Sequence, residues 1–258
     1  IIEIFFQSKN KKYTTMQLFF SDLHLSPTRP KQVNLFLKCL EKAGKEANSV
    51  FILGDLFDFW VGDDDYRYPS AEVKQALRLL TSAGTHLFLS VGNRDFLLGD
   101  KFAEETRAVL LPDYEMIDLG GERTLITHGD LLCTKDRTYQ RFRKVVRNKF
   151  IQKLFLSLPL SLRVKIASKT QNETLKSTKK KPMEIMDVEP DQVKRLLTRH
   201  KSTLLIHGHT HRPAIHAIEI EGKKHRRVVL GDWCDPNPYL FVCQLDDQRL
   251  IRANDYLG

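Results

Sequence analysis

The sequence predicts an α/β protein of the α+β kind: a two-sheet β-sandwich flanked by helices, with a helical lid inserted in it. Three observations predict this. Apolar, strand-like runs alternate with amphipathic helical stretches through the first half of the chain. The C-terminal part is rich in strands joined by turn residues. Between them, the stretch from about Leu132 to Asp187 has no strand pattern and carries its apolar residues at helical spacing. The expected organisation is a core over 16–131 and 188–258 and a lid over 132–187. Residues 1–15 read as an upstream extension or a cloning remnant, with a spare edge strand as the alternative. A chain of 258 residues, 41% of them hydrophobic, is large enough to bury such a core.

Each element has its own signal. Gln17–Ser21 is an apolar strand. Pro30–Asn48 reads as a helix with Val33, Phe36, Leu37 and Leu40 on one face. Val50–Leu53 is a short buried strand. Ser70–Ala83 is a helix, with Ser70 as N-cap and Gly84 as the C′ stop. Leu87–Val91 is a strand running into an Asn-Arg-Asp loop, and Lys101–Val109 is a short helix. Tyr114–Leu119 and Arg123–Thr127 form a hairpin about Gly120-Gly121. In the insertion, Tyr139, Phe142, Val145 and Val146 fall at helical spacing. Lys149–Leu158 and Leu162–Ser168 continue as helices broken at Pro159. Asp191–His200 is a helix and Thr203–Ile206 a strand. Ala214–Ile220 pairs with Arg226–Leu230 around Glu221-Gly222, and Phe241–Leu245 and Leu250–Ala253 close the chain as strands.

Five short patches lie at or just after the strand-like runs. They are Asp22-Leu23-His24, Gly54-Asp55, Gly92-Asn93-Arg94-Asp95, Thr127-His128-Gly129-Asp130 and His207-Gly208-His209-Thr210-His211. Loops at the carboxyl ends of strands are where α/β folds build their sites. Singly, each patch has a bland reading. Asp-x-His after a strand is usually a turn beside a satisfied histidine, and Gly-Asp is usually a turn. Alternate histidines on an extended segment point the same way, though three can also cluster on a surface by accident. Five patches in this order favour a metal site.

The candidate ligands are Asp22, His24, Asp55, Asn93, His128, His207 and His209. All are oxygen or imidazole donors, which suit Mn²⁺, Fe²⁺ or Zn²⁺. Seven are too many for one tetrahedral ion. They suit two ions sharing a carboxylate, with Asp55 as the natural bridge. Two ions roughly 3.5–4 Å apart activate a water and stabilise the attacking and leaving oxygens of a phosphoryl transfer. Arg94, beside Asn93, is suited to hold a phosphate oxygen bidentately.

These patches resemble the calcineurin-like metallophosphoesterase superfamily. Within it, the chain is similar to the UDP-2,3-diacylglucosamine diphosphatase family of lipid A biosynthesis, from about Met16 to the C-terminus. The resemblance is carried by Gly54-Asp55-Leu56-Phe57-Asp58, Trp60, Gly62-Asp63-Asp64-Asp65 and Gly92-Asn93-Arg94-Asp95-Phe96-Leu97-Leu98-Gly99. Ile185-Met186-Asp187-Val188, His207-Gly208-His209-Thr210-His211-Arg212-Pro213 and Arg227-Val228-Val229-Leu230-Gly231-Asp232-Trp233 complete it.

The resemblance implies the metallophosphoesterase fold with a helical lid, and two divalent metal ions, foremost Mn²⁺. It implies hydrolysis of UDP-2,3-diacylglucosamine to UMP and 2,3-diacylglucosamine 1-phosphate, with water attacking the uridine-side phosphorus. Asp22, His24, Asp55 and His209 are then expected at one metal, and Asp55, Asn93, His128 and His207 at the other. Asn93, Arg94 and His207 are expected to face the substrate phosphates and, with Asp55, to carry catalysis. His207 or His211 is expected to assist proton transfer. Further substrate contacts are implied for Asp136, Tyr139, Thr174, Thr178 and Lys181. Thr stands at 174 and 178 where Ser and Asn types are expected, and the run Lys179-Lys180-Lys181 leaves its register open. The alternative is another two-metal phosphodiesterase or nuclease of the superfamily, which would keep the five patches and need no acyl-lined lid.

The insertion carries the charge. From Lys135 to Lys181 there are 15 Lys and Arg against two acids, Asp136 and Glu173, a net +13, whereas the whole chain carries +9. Leu154-Phe155-Leu156-Ser157-Leu158-Pro159-Leu160 is more apolar than a solvent-facing helix requires. Such a segment can offer aliphatic walls for acyl chains and cations for a diphosphate. It can also rest on the anionic inner-membrane surface, where each cation contributes roughly 1 kcal/mol. The bland alternative is ordinary helix packing under a solvated basic face. No nucleic-acid module accompanies the charge, so neither nucleic acid nor an obligate protein partner is expected. Cys39, Cys133, Cys234 and Cys243 show no Cys-x-x-Cys spacing. No apolar run reaches the roughly 18 residues of a membrane span, and no secretory signal is evident. The expected location is cytoplasmic, peripheral on the inner membrane.

Overall fold

Successive residues of a strand face opposite ways, and β1 (Met16–Phe20) uses both of its faces. Phe19 enters one apolar core while Leu18 and Phe20 enter another. The computed structural model describes residues 16–178 (backbone alone for 172–178), 187–234, 236–244 and 247–258. The expected 1–15 extension and the Lys181 contact lie outside the described residues. Beside β1 run β2 (Ser49–Leu53), β3 (His86–Ser90) and β4 (Val109–Leu110), all parallel. On the other side, β10 (Tyr239–Gln244) and β11 (Asp247–Arg252) complete an antiparallel edge, giving the order β11-β10-β1-β2-β3-β4.

The second sheet has five strands. They are β5 (Glu115–Leu119), β6 (Glu122–Thr127), β7 (Leu204–His207), β8 (Ala214–Ile220) and β9 (Lys223–Val229), in the order β5-β6-β7-β9-β8. β6, β7 and β9 are parallel. The hairpin expected at Gly120-Gly121 is present, and both glycines hold positive φ.

The sheets pack through large side chains. Phe19 stacks on Phe51 at 4.6 Å, and Phe51 on Phe88 at 4.8 Å. Ile126, Leu204, Ile206 and Val228 face them from the second sheet. The outer face of the first sheet is covered by α1 (Pro30–Glu46), α2 (Ser70–Ser82), α3 (Asp100–Thr106) and α8 (Ala253–Leu257). They bring Phe36, Leu77, Phe102 and Tyr256 to the core. α7 (Pro190–His200) lays Val193, Leu196 and Leu197 on Leu125 and Leu205 of the second sheet. This is the expected sandwich between helices.

Three local expectations differ. Ser70 is the first helical residue rather than the N-cap, and its hydroxyl donates to Asp65 O at 2.5 Å. The helix expected to reach Val109 stops at Thr106, because Arg107 turns left-handed (φ 56°) and Val109–Leu110 join the sheet beside β3. Leu37 lies at the margin of the buried face of α1, which Cys39 and Ala43 extend instead.

The insertion is helical as expected: α4 (Arg137–Val146), α5 (Lys149–Leu156) and α6 (Leu160–Thr178). No residue of α4 or α5 is buried. Phe150 is 76% exposed and Leu154 62%.

Candidate active site

The loops after β1, β2, β3, β6 and β7 converge, and they do so on unusual backbone. Asp22, His24, Asp55, His209 and His211 adopt φ of 53°, 45°, 54°, 69° and 57°. L side chains avoid this region, and such strain persists where the surroundings over-determine it. Here the loops are stitched together. Asp22 N–H donates to Gly54 O (3.1 Å), His24 N–H to Asp55 O (2.9 Å), Gly208 N–H to His128 O (2.9 Å) and Trp233 N–H to Asp22 O (3.0 Å). Asp95 ties two loops at once: its carboxylate accepts N–H bonds from Gly92 (2.7 Å), Leu56 (2.7 Å) and Asp55 (3.3 Å). Two glycines permit the approach. A Cβ at Gly92 would stand 2.1 Å from Asp55 Oδ1, and one at Gly208 would stand 1.9 Å from Ser21 Oγ.

Donor atoms gather around Asp55. Its Oδ1 accepts the Arg94 N–H at 2.8 Å. Its Oδ2 lies 3.9 Å from both His24 Nδ1 and His128 Nε2. Asn93 Oδ1 is 3.1 Å from His128 Nε2 and 3.0 Å from His209 Nδ1. His211 Nε2 is 3.4 Å from Asp22 Oδ1 and 3.4 Å from His24 Nε2. Ligand atoms of Asp22, His24 and His211 lie within 4.8 Å of one another, and so do those of Asp22, Asp55 and His128.

These residues fit divalent metal. Asp22 Oδ1 and His24 Nδ1 are buried without a hydrogen-bond partner among the described residues. Each such atom costs about 1–3 kcal/mol unless something satisfies it, and a cation would. His128 Nδ1 lies 2.8 Å from Leu53 O and donates to it, which leaves Nε2 as a lone pair facing the cluster. Burial lowers the pKa of His24 well below its ordinary value. Burial, helped by His128, lowers that of His209 to about 4. Both imidazoles are therefore neutral at pH 7, the form that coordinates. Burial also pushes Asp55 up to about 7; Asp95 and Asp22 add to this, while His128 and Arg94 oppose it. For His211 burial works the other way, but the carboxylates of Asp22 and Asp232, each 3.4 Å from the ring, prevail and lift it to about 10.

Of the expected ligands, Asp22, His24, Asp55, Asn93, His128 and His209 are linked by the distances above, and His209 N–H also donates to Asp22 Oδ2 at 2.8 Å. His207 is the last residue of β7 and is fully buried. Its Nδ1 lies 2.8 Å from Gly208 O, and its Nε2 is buried without a hydrogen-bond partner among the described residues, as Asp22 Oδ1 and His24 Nδ1 are. His211, four positions after His207, also stands at the cluster, beside Asp22 and His24. Alternation on an extended strand does not apply here, because β7 ends at His207 and both following histidines turn left-handed.

Among the expected substrate contacts, Asp136 caps α4, accepting the Tyr139 N–H at 3.0 Å. Tyr139 donates its hydroxyl to Asp130 (2.5 Å), and its ring centroid is 6.1 Å from that of His209. Thr174 and Thr178 lie on the backbone of α6. Arg94 points its Nη1 at Asp58, 2.7 Å away. Sequence reasoning assigned nothing to Asp58, Asp95, Asp130 or Asp232. Each stands inside a quoted motif, and that neighbourhood was the available signal.

A two-sheet sandwich that collects oxygen and imidazole donors at its strand ends is a metallophosphoesterase. Residues 17–213 match the calcineurin-like phosphoesterase family, and the chain belongs to it. The UDP-2,3-diacylglucosamine hydrolase of Tolumonas auensis is 45% identical over 235 residues, covering 91% of this chain and 94% of that protein. The proteins of the same name from Proteus mirabilis and Vibrio cholerae are 47% and 42% identical. They cover 84% and 91% of this chain and 90% and 96% of their own lengths. On that similarity the chain is a member of the UDP-2,3-diacylglucosamine hydrolase family.

Proposed function

We propose that this protein hydrolyses the diphosphate of UDP-2,3-diacylglucosamine to UMP and 2,3-diacylglucosamine 1-phosphate, a step of lipid A biosynthesis. The observation that carries it is the ring of donors about Asp55 Oδ2, in a chain whose relatives bear that substrate's name. Asp22, His24, Asp55 and His209 would hold one divalent ion, and Asp55, Asn93, His128 and His207, whose buried Nε2 has no hydrogen-bond partner among the described residues, the other. Mn²⁺ suits this borderline oxygen and nitrogen set. When bound, the two ions supply water activation and neutralise charge on the phosphoryl oxygens.

The chain's own residues supply the rest. Arg94 binds a phosphate oxygen at the mouth of the cluster, where it is 27% exposed. The Asp95 carboxylate keeps the Asp55 and Asn93 loops in one arrangement, so positioning precedes substrate binding. Water attacks the uridine-side phosphorus. His211, held by Asp22 and Asp232 at 3.4 Å each, stands where a proton can be passed.

The helical insertion would act as the lid over the acyl chains and as the membrane contact. Phe142, Val145, Phe150, Ile151 and Leu154 are all at least 40% exposed on it. A soluble partner surface does not need that much apolar area beside so many cations, whereas an anionic bilayer attracts both. Among the described residues no helix is long and apolar enough to cross a membrane, so the contact proposed is peripheral, on the cytoplasmic face of the inner membrane.

The test is UMP release from UDP-2,3-diacylglucosamine with Mn²⁺ added and then chelated. Mn²⁺-dependent UMP with the 1-phosphate as co-product is expected. Cleavage of simple phosphodiesters without UMP release from this substrate would move the protein to another branch of the superfamily.

A further inference from the structure

The insertion is hydrogen-bonded to the loops that carry the cluster. Arg143 Nε donates to Asp130 at 2.7 Å, two residues beyond His128. Arg147 Nη2 donates to Gly92 O at 2.8 Å, next to Asn93. Gln171 Nε2, from α6, donates to Asp58 Oδ2 at 2.7 Å. The third contact differs from the others, because its acceptor has a second partner. The other oxygen of Asp58 accepts from Arg94 Nη1, also at 2.7 Å. One carboxylate therefore holds α6 on one side and the arginine of the cluster on the other.

The backbone of Arg94 is fixed without Asp58. Its N–H donates to Asp55 Oδ1 (2.8 Å), and its C=O accepts the Trp60 N–H (3.1 Å). Asp58 is anchored in turn, its N–H donating to Leu25 O at 3.1 Å. What remains free is the aim of a long side chain that is 27% exposed. An arginine so placed has several rotamers open to it. Its Nε stands 3.8 Å from Asp55 Oδ2, beyond hydrogen-bonding reach. Asp58 is thus the carboxylate that sets the guanidinium. With Nη1 committed to it, the remaining N–H groups of the planar fork are left for a phosphate oxygen.

We propose that Asp58 is a positioning residue: it aims Arg94 at the diphosphate, and through Gln171 it makes that aim depend on the seating of α6. This rests on the reaction proposed above. Displacements of about 1 Å remote from the reacting atoms can lower a rate by about a hundredfold, so a carboxylate that fixes a guanidinium has room to matter. Asn at 58 keeps the shape and one acceptor but removes the charge.

The experiment is a kinetic double-mutant cycle on Asp58→Asn and Gln171→Leu. UMP release and cleavage of bis(p-nitrophenyl) phosphate are both followed, with bound metal and melting temperature as controls. The expected result for Asp58→Asn is a fall of about 10- to 100-fold in kcat/KM on the diphosphate, with bound metal and melting temperature close to wild type. Gln171→Leu is expected to lose less. The double variant is expected to be no worse than Asp58→Asn, since both act through one contact. Wild-type kinetics in Asp58→Asn, or losses that multiply in the double variant, would overturn the proposal. A lowered melting temperature with unchanged kcat would reduce Asp58 to an ordinary ion pair. If the wild-type chain cleaves only the simple diester, the diacylglucosamine reading fails, and the Asp58→Asn rate on that diester still decides whether Asp58 positions Arg94.

Discussion

Asp95 gives no donor atom to the cluster, yet three backbone N–H groups end on its buried carboxylate. Asn at this position offers one oxygen where two are used, and it turns an N–H₂ toward a buried N–H. Losing charge-assisted bonds and leaving a donor unsatisfied costs about 2–3 kcal/mol. Asp95→Asn is therefore expected to lower the unfolding free energy by that amount, read as a lower denaturant midpoint at unchanged m, and to lower hydrolysis, since the Asp55 and Asn93 loops share the staple. An unchanged midpoint would show that the three bonds contribute nothing. Asp95 was visible in the sequence only as the last letter of a motif, because a residue that acts through other residues' backbones leaves no ligand-type signature. The candidate ligands were more legible, since Asp22, His24, Asp55, Asn93, His128, His207 and His209 all stand at or just after the end of a strand-like run. Where His211 stands relative to Asp22 and His24 was less legible, because it depends on φ at His209 and His211, which residue type does not encode.

At the scale of elements, helical period was enough to find α4, α5 and α6, and strand runs were enough for most of both sheets. β4, of two residues, and α8, of five, are too short to show a period. What the period could not show is that the insertion's cations fall into two groups. Arg143 and Arg163 are turned inward, with side chains 11% and 4% exposed, on Asp130 and Asp64. Arg141, Lys144 and Lys153 are exposed, on the same helices as the exposed Phe142, Phe150 and Leu154. If the insertion rests on an anionic surface, only the second group touches it. At roughly 1 kcal/mol per cation, reversing Arg141, Lys144 and Lys153 to Glu is expected to weaken partitioning onto phosphatidylglycerol-containing vesicles at least about a hundredfold. Turnover of a soluble, short-chain substrate is expected to fall far less. Vesicle binding that survives the reversal would make those cations a solvated face.

At the scale of the molecule, the cluster spans the sandwich. Asp22, Asp55 and Asn93 follow strands of one sheet, and His128, His207 and His209 stand at the ends of strands of the other. Asp22 and Asp55 are buried side by side with unsatisfied donor atoms near them, an arrangement that costs stability until cations join the two sheets. A ligand that binds only the folded state stabilises it by about 2.7 kcal/mol at a hundred times its Kd. In a domain of this size 1 kcal/mol moves the melting temperature by about 2–4 °C. Chelation is therefore expected to lower the melting temperature by about 5–10 °C, and Mn²⁺ to restore it. Asp55→Ala should abolish that metal-dependent shift while leaving the metal-free protein at least as stable as the metal-free wild type, because it removes a buried carboxylate from the centre of the cluster. A melting temperature indifferent to chelator and Mn²⁺ in the wild type would mean that no ion bridges the sheets. A shift that persists in Asp55→Ala would mean that the ions bind without the shared carboxylate, and the bridging role would pass to another residue.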